Sequence, residues 1–81
     1  PSLGMMTVNA LVAADSGMAD IVHIIEQSRN ALVSGGFLLL EHGWQQGEAV
    51  RQAFIHAGYH DVETCRDYGD NERVTLGRYY Q

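Results

Sequence analysis

The chain has 81 residues, of which 46% are hydrophobic and 19% are charged. A chain of this length forms one small domain and buries only about 60% of its unfolded surface, so its stability is expected to be marginal. The balance of hydrophobic and charged residues is typical of a globular domain and excludes an intrinsically disordered segment.

The charge of the chain argues against nucleic acid as a direct partner. Ten acidic residues and five basic ones give a formal net charge of -5. The basic residues are all arginines and are scattered along the sequence: Arg29, Arg51, Arg66, Arg73 and Arg78. Nucleic-acid binding needs a cluster of basic side chains that neutralises phosphates, and the sequence has no such cluster.

Hydropathy and cysteine content predict a cytoplasmic protein without a membrane span. Apolar runs such as Phe37–Leu40 are far shorter than the roughly 18 residues that a membrane-spanning helix needs. The N-terminal stretch does not have the layout of a signal peptide. The single cysteine, Cys65, agrees with this location, because small secreted domains usually carry an even set of cysteines.

The first nine residues, Pro1–Asn9, have no hydrophobic period. We interpret residues 1–9 as an arm or as added sequence, and residues 10–81 as the single domain. Either Asp15 or Ser16 can cap the helix that follows them.

The first helix is predicted from Met18 to Val33. Its apolar residues have the spacing of one helix face: Met18, Ile21, Val22, Ile25 and Leu32. The sequence Ser34-Gly35-Gly36 is expected to end it, because glycine adopts the left-handed conformation of a C-terminal cap without steric cost.

Residues Phe37–Leu40 are predicted to form a strand that is buried on both faces of a sheet, because their apolar side chains do not alternate with polar ones. The polar sequence Glu41-His42-Gly43 ends this strand. Open α/β sheets bind ligands at the carboxyl ends of their strands, so these polar residues mark the candidate ligand site.

The C-terminal half is predicted to contain a helix and a hairpin. The helix covers Gly47–Ala57, and Gly58 ends it. The hairpin strands are Asp61–Arg66 and Arg73–Tyr80, because β-favouring residues flank a turn-forming cluster at 67–72. The predicted order is α-β-α-β-β, an α/β domain with three strands, the last antiparallel, and both helices on one face of the sheet.

Four segments carry a resemblance to a known family. They are ALVAADSG at 10–17, GGFLLLEHG at 35–43, QGEAV at 46–50 and DYGDNERVTLGR at 67–78. In this order they resemble the HemK/PrmC family, and especially its enterobacterial members, from Ala10 to Gln81. Members of this family are S-adenosylmethionine-dependent methyltransferases that act on the glutamine side-chain amide of peptide chain release factors. The resemblance implies the C-terminal part of a Rossmann-like class I methyltransferase sheet, so that residues 10–81 would be a partial domain.

The resemblance implies activity only for the complete enzyme. In the family, a glycine-rich loop binds the cofactor and an Asn-Pro-Pro-Tyr motif holds the target amide. This sequence has no such loop, and its single proline, Pro1, excludes the tetrapeptide. S-adenosylmethionine and release factors are therefore the expected cofactor and partners of the parent family. For this chain alone we expect no cofactor and no catalysis, because methyl transfer depends on positioning both reactants.

By the same resemblance, Glu41, His42 and Gln46 are expected near the rim of the substrate pocket, where they would orient the substrate or support a loop. The alternative is that Glu41 and His42 only end a strand in water. No catalytic, cofactor-binding or metal-binding residue is assigned.

Three other features have structural explanations. His56 and His60 have the i, i+4 spacing of zinc ligands, but Gly58 between them is expected to end the helix and no third ligand is evident. Cys65 is interpreted as a packed or edge-strand thiol rather than a nucleophile. Trp44 and the tyrosines are interpreted as packing residues rather than as a surface for stacking bases.

A partial sheet is also expected to self-associate, because one strand edge and one apolar face lose their neighbours. We predict a two-fold homodimer that buries the face around Leu38 and Leu40 or the face around Phe37 and Leu39. A further hypothesis is a recombined or engineered segment with no catalytic role.

Overall fold

A computed structural model of the chain describes residues 3–9, 18–66 and 68–81. The elements are β1 (Leu3–Asn9), α1 (Met18–Ser28), β2 (Leu32–Glu41), α2 (Gly47–His56), β3 (His60–Arg66) and β4 (Glu72–Tyr79). A short 3-10 turn, Trp44–Gln46, precedes α2. The predicted capping residues Asp15 and Ser16 lie outside the described residues.

The four strands form one mixed sheet in the order β1-β2-β4-β3. Strand β1 is parallel to β2, whereas β4 is antiparallel to both of its neighbours, β2 and β3. The last strand of the chain therefore lies inside the sheet, between the two strands that α2 connects. The predicted α/β class and the antiparallel last strand are confirmed, but the described sheet has four strands rather than three.

The additional strand is β1, so residues 3–9 are part of the sheet rather than an arm. Met6 and Val8 lie against the core, whereas Met5 and Thr7 lie on the other face of the sheet. Met5 is 59% exposed. A strand at the boundary of a sheet normally alternates apolar and polar residues. Met5 is apolar although it lies on the outer face, so the sequence of β1 does not show this alternation.

Helix α1 ends at Ser28, so the prediction that it continues to Val33 is wrong. The amide N–H groups of Arg29, Asn30 and Ala31 each donate to a carbonyl three residues earlier, at 3.4, 3.0 and 3.0 Å. Such bonds tighten and close the last turn of a helix. Leu32 fits the helical spacing by coincidence, because it is the first residue of β2 and is fully buried.

Two glycines among the described residues have a positive φ, and they occupy different kinds of structure. Gly35, at φ +85°, lies within β2, where the pairing with β1 shifts from Leu3–Leu32 to Met5–Phe37. The predicted helix cap is therefore a bulge in a strand, which also needs a residue that tolerates a positive φ. Gly58, at φ +94°, follows the end of α2 as predicted.

A Schellman motif ends α2 and brings together two residues of the hydrophobic core, Phe54 and Tyr59. The Tyr59 amide donates to the Phe54 carbonyl and the Gly58 amide to the Ile55 carbonyl, each at 3.0 Å. The rings of Phe54 and Tyr59 also pack with their centroids 5.0 Å apart. Gly77 on β4 makes room for this pair, since a Cβ atom there would lie 2.7 Å from Phe54 Cδ2.

The core lies between the two helices and one face of the sheet. Its buried hydrophobic residues are Ile21, Ile25, Leu32, Leu38, Leu40, Val50, Phe54, Ala57 and Tyr59. Helices α1 and α2 contact each other and both contact the sheet. Because one cluster unites both helices with Leu38 and Leu40, the prediction that the helices cover the same face is confirmed. No helix in the described parts of the chain is long and apolar enough to cross a membrane.

The other face of the sheet, called the open face here, has no helix on it among the described residues. Its apolar side chains include Met5, Phe37, Leu39, Val74 and Leu76, of which all but Met5 are half-buried. Side chains of one strand alternate between the two faces, and cross-strand partners share a face. Of the two faces predicted to be uncovered, the structure therefore selects the one around Phe37 and Leu39.

Tyr59 is expected to make folding sensitive to alkaline pH. Its hydroxyl donates to the Ile25 carbonyl at 2.8 Å, and burial raises the pKa of Tyr59 from 10.0 to about 12, although the nearby Arg29 opposes the rise. Between about pH 10 and 12 the unfolded chain loses this proton while the folded chain keeps it. The free energy of unfolding should therefore fall in this window, with a slope of up to about 1.4 kcal/mol per pH unit.

Urea unfolding of the wild type and of Tyr59→Phe between pH 8 and 11.5 measures this contribution. The variant should be less stable at pH 8, by about 0.5–1.5 kcal/mol for the lost hydrogen bond, and should show a shallower decline above pH 10. Tyr68→Phe is the control, since Tyr68 is fully exposed. Parallel pH profiles of wild type and Tyr59→Phe would contradict the prediction.

Candidate functional site

The carboxyl end of β2 is joined to the β3–β4 hairpin by a buried imidazole. His42 is fully buried, with Nδ1 2.8 Å from the Gly43 carbonyl oxygen and Nε2 2.8 Å from Thr75 Oγ1. Its backbone N–H donates to the Arg73 carbonyl at 2.9 Å. Main chain and side chain together fix the position at which β2 ends.

From His42 a chain of polar contacts continues across the hairpin to α2. Thr75 Oγ1 lies 2.9 Å from Thr64 Oγ1, its direct cross-strand partner. Arg51 Nη1 on α2 donates to Thr64 Oγ1 at 3.1 Å and to Glu72 Oε2 at 2.8 Å. We call Arg51, Thr64, Thr75 and His42 the polar chain.

With a neutral His42 ring, the partners determine the direction of every hydrogen bond in the polar chain. A carbonyl oxygen only accepts, so His42 Nδ1 donates to Gly43, and Nε2 of that tautomer accepts from Thr75. Thr75 must then accept from the Thr64 hydroxyl, which in turn accepts from the Arg51 guanidinium. All donors point the same way, from Arg51 towards the loop after β2, and every group in the chain has a partner.

The loop after β2 is closed by its own hydrogen bonds. The Gly43 amide donates to Gln46 Oε1 at 2.8 Å, and the Gln46 amide donates to the Gly43 carbonyl at 3.0 Å. The Gly43 carbonyl also accepts from His42 Nδ1, so Gly43 bonds both to Gln46 and to the polar chain. The loop is thus bonded both to the polar chain and within itself.

The three residues predicted at a pocket rim have different surroundings. Glu41 is half-buried and lies on the open face, opposite Val74. His42 points to the core side, and its ring is wholly inside the fold. Gln46 is half-buried and uses its side-chain oxygen within the loop. That these residues form a rim stays a prediction, in which His42 and Gln46 would act by supporting the loop.

A polar depression of about 440 Å³ lies beside this loop, between the start of α2 and the hairpin turn. Its lining includes Trp44, which is 54% exposed, and an ionic cluster. Glu72 Oε2 lies 2.8 Å from Arg51 Nη1 and 3.9 Å from Arg66 Nη2, and Arg66 Nη1 lies 3.4 Å from Asp70 Oδ1. Both arginines of the depression are thus already paired with carboxylates.

A second depression, of about 290 Å³, lies between α1 and α2 and is mostly apolar. Val22, Ala49, Ala53 and His56 contribute to its lining. It is on the helical side of the sheet, away from the carboxyl end of β2. The predicted rim residues Glu41, His42 and Gln46 are not part of its lining.

Sequence reasoning did not find Thr64, Thr75 or Glu72 as parts of the site. Nor did it find Arg51, whose side chain is only 32% exposed and spans from α2 to the hairpin. One signal was available: strand alternation puts Thr75 on the same face as Gly77 and Tyr79, so a polar residue faces the core. Its partners depend on the register of the hairpin, which the sequence alone did not specify.

The other candidates lie apart from one another. His56 ends α2 and His60 begins β3, and the His60 ring contacts Tyr80, with centroids 5.5 Å apart. The described residues contain no group of three or more potential metal ligands. Cys65 is exposed on β3, an outer strand of the described sheet, which agrees with an edge-strand thiol.

Comparison with known sequences gives one consistent result. The chain is 96% identical over 74 residues to the release factor glutamine methyltransferase of Escherichia coli, a match that covers 91% of the chain and 27% of that protein. This chain is closely similar to the C-terminal part of a HemK/PrmC-family protein. The family resemblance predicted from the sequence is confirmed.

Release factor glutamine methyltransferases from other bacteria give the same result. Identity is 69% over 71 residues to the protein of Salmonella typhimurium and 61% over 70 residues to that of Haemophilus influenzae. These matches cover 88% and 86% of the chain but only 26% and 24% of the relatives. The chain therefore spans about a quarter of the length of the relatives it matches. No protein-family model matches it.

The fold has a solved counterpart. A methyltransferase from Pyrococcus furiosus superimposes with a TM-score of 0.75 at 14% sequence identity, over 99% of this chain and 42% of that one. The superposition includes all four strands, β1 among them. The expected Rossmann-like methyltransferase architecture is confirmed at the level of the fold.

Proposed function

We propose that this chain is the C-terminal module of an S-adenosylmethionine-dependent release factor glutamine methyltransferase, and that it does not transfer methyl groups by itself. The observation that carries the proposal is 96% identity across 91% of the chain to only 27% of the E. coli enzyme. In the complete protein, the module would supply the outer strands of the sheet and the rigid loop after β2. Release factors would be the partners of that complete protein.

The described residues do not fit S-adenosylmethionine by themselves. A nucleoside and a sulfonium amino acid need several polar groups that converge on a pocket and are free to bond with the ligand. At the carboxyl end of β2, both His42 nitrogens and the Gln46 side-chain oxygen are used within the fold. In the adjoining depression, Arg51 and Arg66 are paired with Glu72. No catalytic step is assigned to this chain.

The polar chain suggests what the module contributes to the complete enzyme. Methyl transfer depends on holding methyl donor and acceptor in line, so rigid surroundings of the pocket contribute to the rate. The polar chain supports the loop at 43–46 through His42, whose ring bonds to the Gly43 carbonyl. Glu41, in contrast, is half-buried on the sheet surface and has no ion pair among the described residues. We assign the polar chain a positioning role and keep Glu41 as the candidate substrate contact.

Calorimetry tests the first part of the proposal. S-adenosylmethionine is titrated into this chain and, in parallel, into the complete E. coli enzyme. We expect no binding to the chain at ligand concentrations up to about 1 mM, corresponding to a binding free energy weaker than about -4 kcal/mol, and saturable binding to the enzyme. Micromolar binding to the chain would overturn the claim that it is incomplete.

A replacement experiment tests the second part. The complete E. coli enzyme is prepared with its 74 matched residues exchanged for those of this chain, and methylation of a release factor is measured. If the chain is a functional C-terminal module, the hybrid should keep its rate within about tenfold, a change of less than about 1.4 kcal/mol in transition-state stabilisation. A folded hybrid that binds cofactor but does not methylate would contradict the proposal.

A further inference from the structure

The open face carries two opposite charges that have no opposite partner within the described residues. Arg78 stacks on Phe37, with its guanidinium carbon 4.2 Å from the ring centroid, and Nη1 donates to the Tyr80 hydroxyl at 3.2 Å. Arg78 Nε is buried and has no hydrogen-bond partner. Glu41 on β2 likewise has no ion pair among these residues. No carboxylate among the described residues neutralises the Arg78 guanidinium, so a carboxylate from a second chain could compensate its charge.

The two charges lie at opposite ends of an apolar strip. Three pairs of directly opposed residues cross the centre of the open face, Phe37–Arg78, Leu39–Leu76 and Glu41–Val74. We call them the first, middle and last rows. Arg78 is in the first row on β4, Glu41 is in the last row on β2, and the middle row is wholly apolar.

We propose that a second copy of this chain packs on the open face about a two-fold axis that runs across the strands, along the middle row. This rotation places the first row of one protomer over the last row of the other, and each strand over the same strand of the second copy. Arg78 of one protomer then lies over Val74 of its partner. Glu41 of the partner is in the same row on the next strand, and neighbouring strands are about 4.8 Å apart. Two equivalent Arg78–Glu41 pairs flank a centre made of Leu39 and Leu76.

Charge complementarity selects this axis over the other possibility for two stacked sheets. An axis parallel to the strands, between β2 and β4, would place each row over the same row of the second copy. Arg78 would then lie beside Arg78 of the second copy, and Glu41 beside Glu41, on an apolar surface where like charges repel strongly. With the axis across the strands, the like-charged residue that faces its own copy is Glu63, which is exposed on the outer strand β3 and is screened by water.

The size of the open face predicts a weak dimer. Four strands spaced about 4.8 Å apart and five residues at about 3.4 Å each give a patch of roughly 300 Å² in projection. Standard interfaces bury about 800 Å² per partner, so this interface belongs to the weak class. We expect a dissociation constant of tens to hundreds of micromolar, corresponding to about -5 to -7 kcal/mol.

Sedimentation equilibrium of the intact chain between about 10 µM and 1 mM tests the association itself, since this range brackets the expected dissociation constant. The buffer must be reducing, because Cys65 is exposed and a disulfide would mimic a dimer. A monomer–dimer equilibrium is expected. A monomer at every concentration would overturn the proposal and leave the open face to another segment of a longer protein.

Paired charge variants test the axis. Glu41→Gln removes both interprotomer ion pairs and should weaken the dimer about two- to thirty-fold, corresponding to about 0.4–2 kcal/mol for the two exposed pairs together. The matched control, Glu63→Gln, makes the same change on the same face and should leave the dissociation constant unchanged or slightly lower. A stronger dimer with Glu41→Gln would favour the axis parallel to the strands and overturn our geometry, as would an unchanged one.

A charge exchange gives the most specific test. Arg78→Glu places a carboxylate opposite Glu41 of the second copy and should weaken the dimer more than Glu41→Gln does. Adding Glu41→Arg to this variant recreates the pairing with reversed signs, so the double variant should associate more tightly than either single variant. Circular dichroism confirms that each variant is folded. If the double variant is weaker than both single variants, the proposed pairing is wrong.

Discussion

Replacing Phe54 by alanine should lower the free energy of unfolding by about 3–5 kcal/mol, because a buried ring is lost and a cavity remains. Phe54 is fully buried, packs against the Tyr59 ring at 5.0 Å and fills the space over Gly77. A domain of 81 residues has a total stability of only about 4–12 kcal/mol. The variant should therefore be largely unfolded well before the wild type in urea, as circular dichroism can measure.

The neighbouring residue supplies the control for this prediction. Ile55 is on the same helix and is 52% exposed, so Ile55→Ala should cost less than about 1 kcal/mol. Both substitutions make the same change in helix propensity to within a few tenths of a kcal/mol. If Phe54→Ala and Ile55→Ala unfolded at similar urea concentrations, the core described around Phe54 would be wrong.

Replacing Thr75 by valine is expected to have the second largest effect. Valine has nearly the same shape as threonine but removes the hydroxyl that donates to His42 and accepts from Thr64. His42 Nε2 would lose its donor and the Thr64 hydroxyl would lose its acceptor, at about 1–3 kcal/mol for each group. We expect a loss of about 2–5 kcal/mol, because the polar chain is interrupted at its centre.

The same substitution at Thr7 is the matched control. Thr7 is exposed on the open face of β1, where valine is at least as favourable in a strand as threonine. Thr7→Val should therefore change stability by less than about 0.5 kcal/mol. The comparison is made at low protein concentration, so that association through the open face does not contribute. Equal effects of the two substitutions would contradict the buried polar chain.

The elements that the sequence predicted well are those with local signals. Helix α2 was predicted as Gly47–Ala57 and is observed as Gly47–His56, because its apolar stripe, its first turn and Gly58 all lie within a dozen residues. The hairpin strands were predicted to within a residue of their observed bounds for the same reason. A strong turn cluster at 67–72 fixes where the chain reverses.

The errors occurred where a distant strand decides the local structure. Ser34-Gly35-Gly36 has the composition of a helix cap but lies in β2, because β2 pairs with β1 and the extra residues form a bulge. Pairing with β1 also draws Leu32 out of the helical pattern into the sheet. Local propensity is overridden in such places by hydrogen bonds to residues about thirty positions away.

The candidate site divides in the same way. The sequence located the polar carboxyl end of β2, because an uninterrupted apolar run stops there at Glu41. It could not give the orientation of the side chains: adjacent residues of a strand point to opposite faces, and so Glu41 lies on the open face while His42 is buried. Nor could it join Arg51, Thr64 and Thr75 into one chain, because that arrangement needs the register of β3 on β4 and the position of α2 over both.

The amino-acid sequence by itself determined the α/β class, the similarity to a methyltransferase family and the absence of that family's cofactor loop and catalytic tetrapeptide from these residues. These properties follow from residue identity and local spacing. Only the tertiary structure decided that β4 lies between β2 and β3, that the polar chain supports the loop after β2, and that the uncovered face contains Phe37, Leu39 and Arg78. Strand order and the covered face depend on which distant segments pack together, and that choice minimises the exposed apolar surface of the whole chain rather than of any one segment.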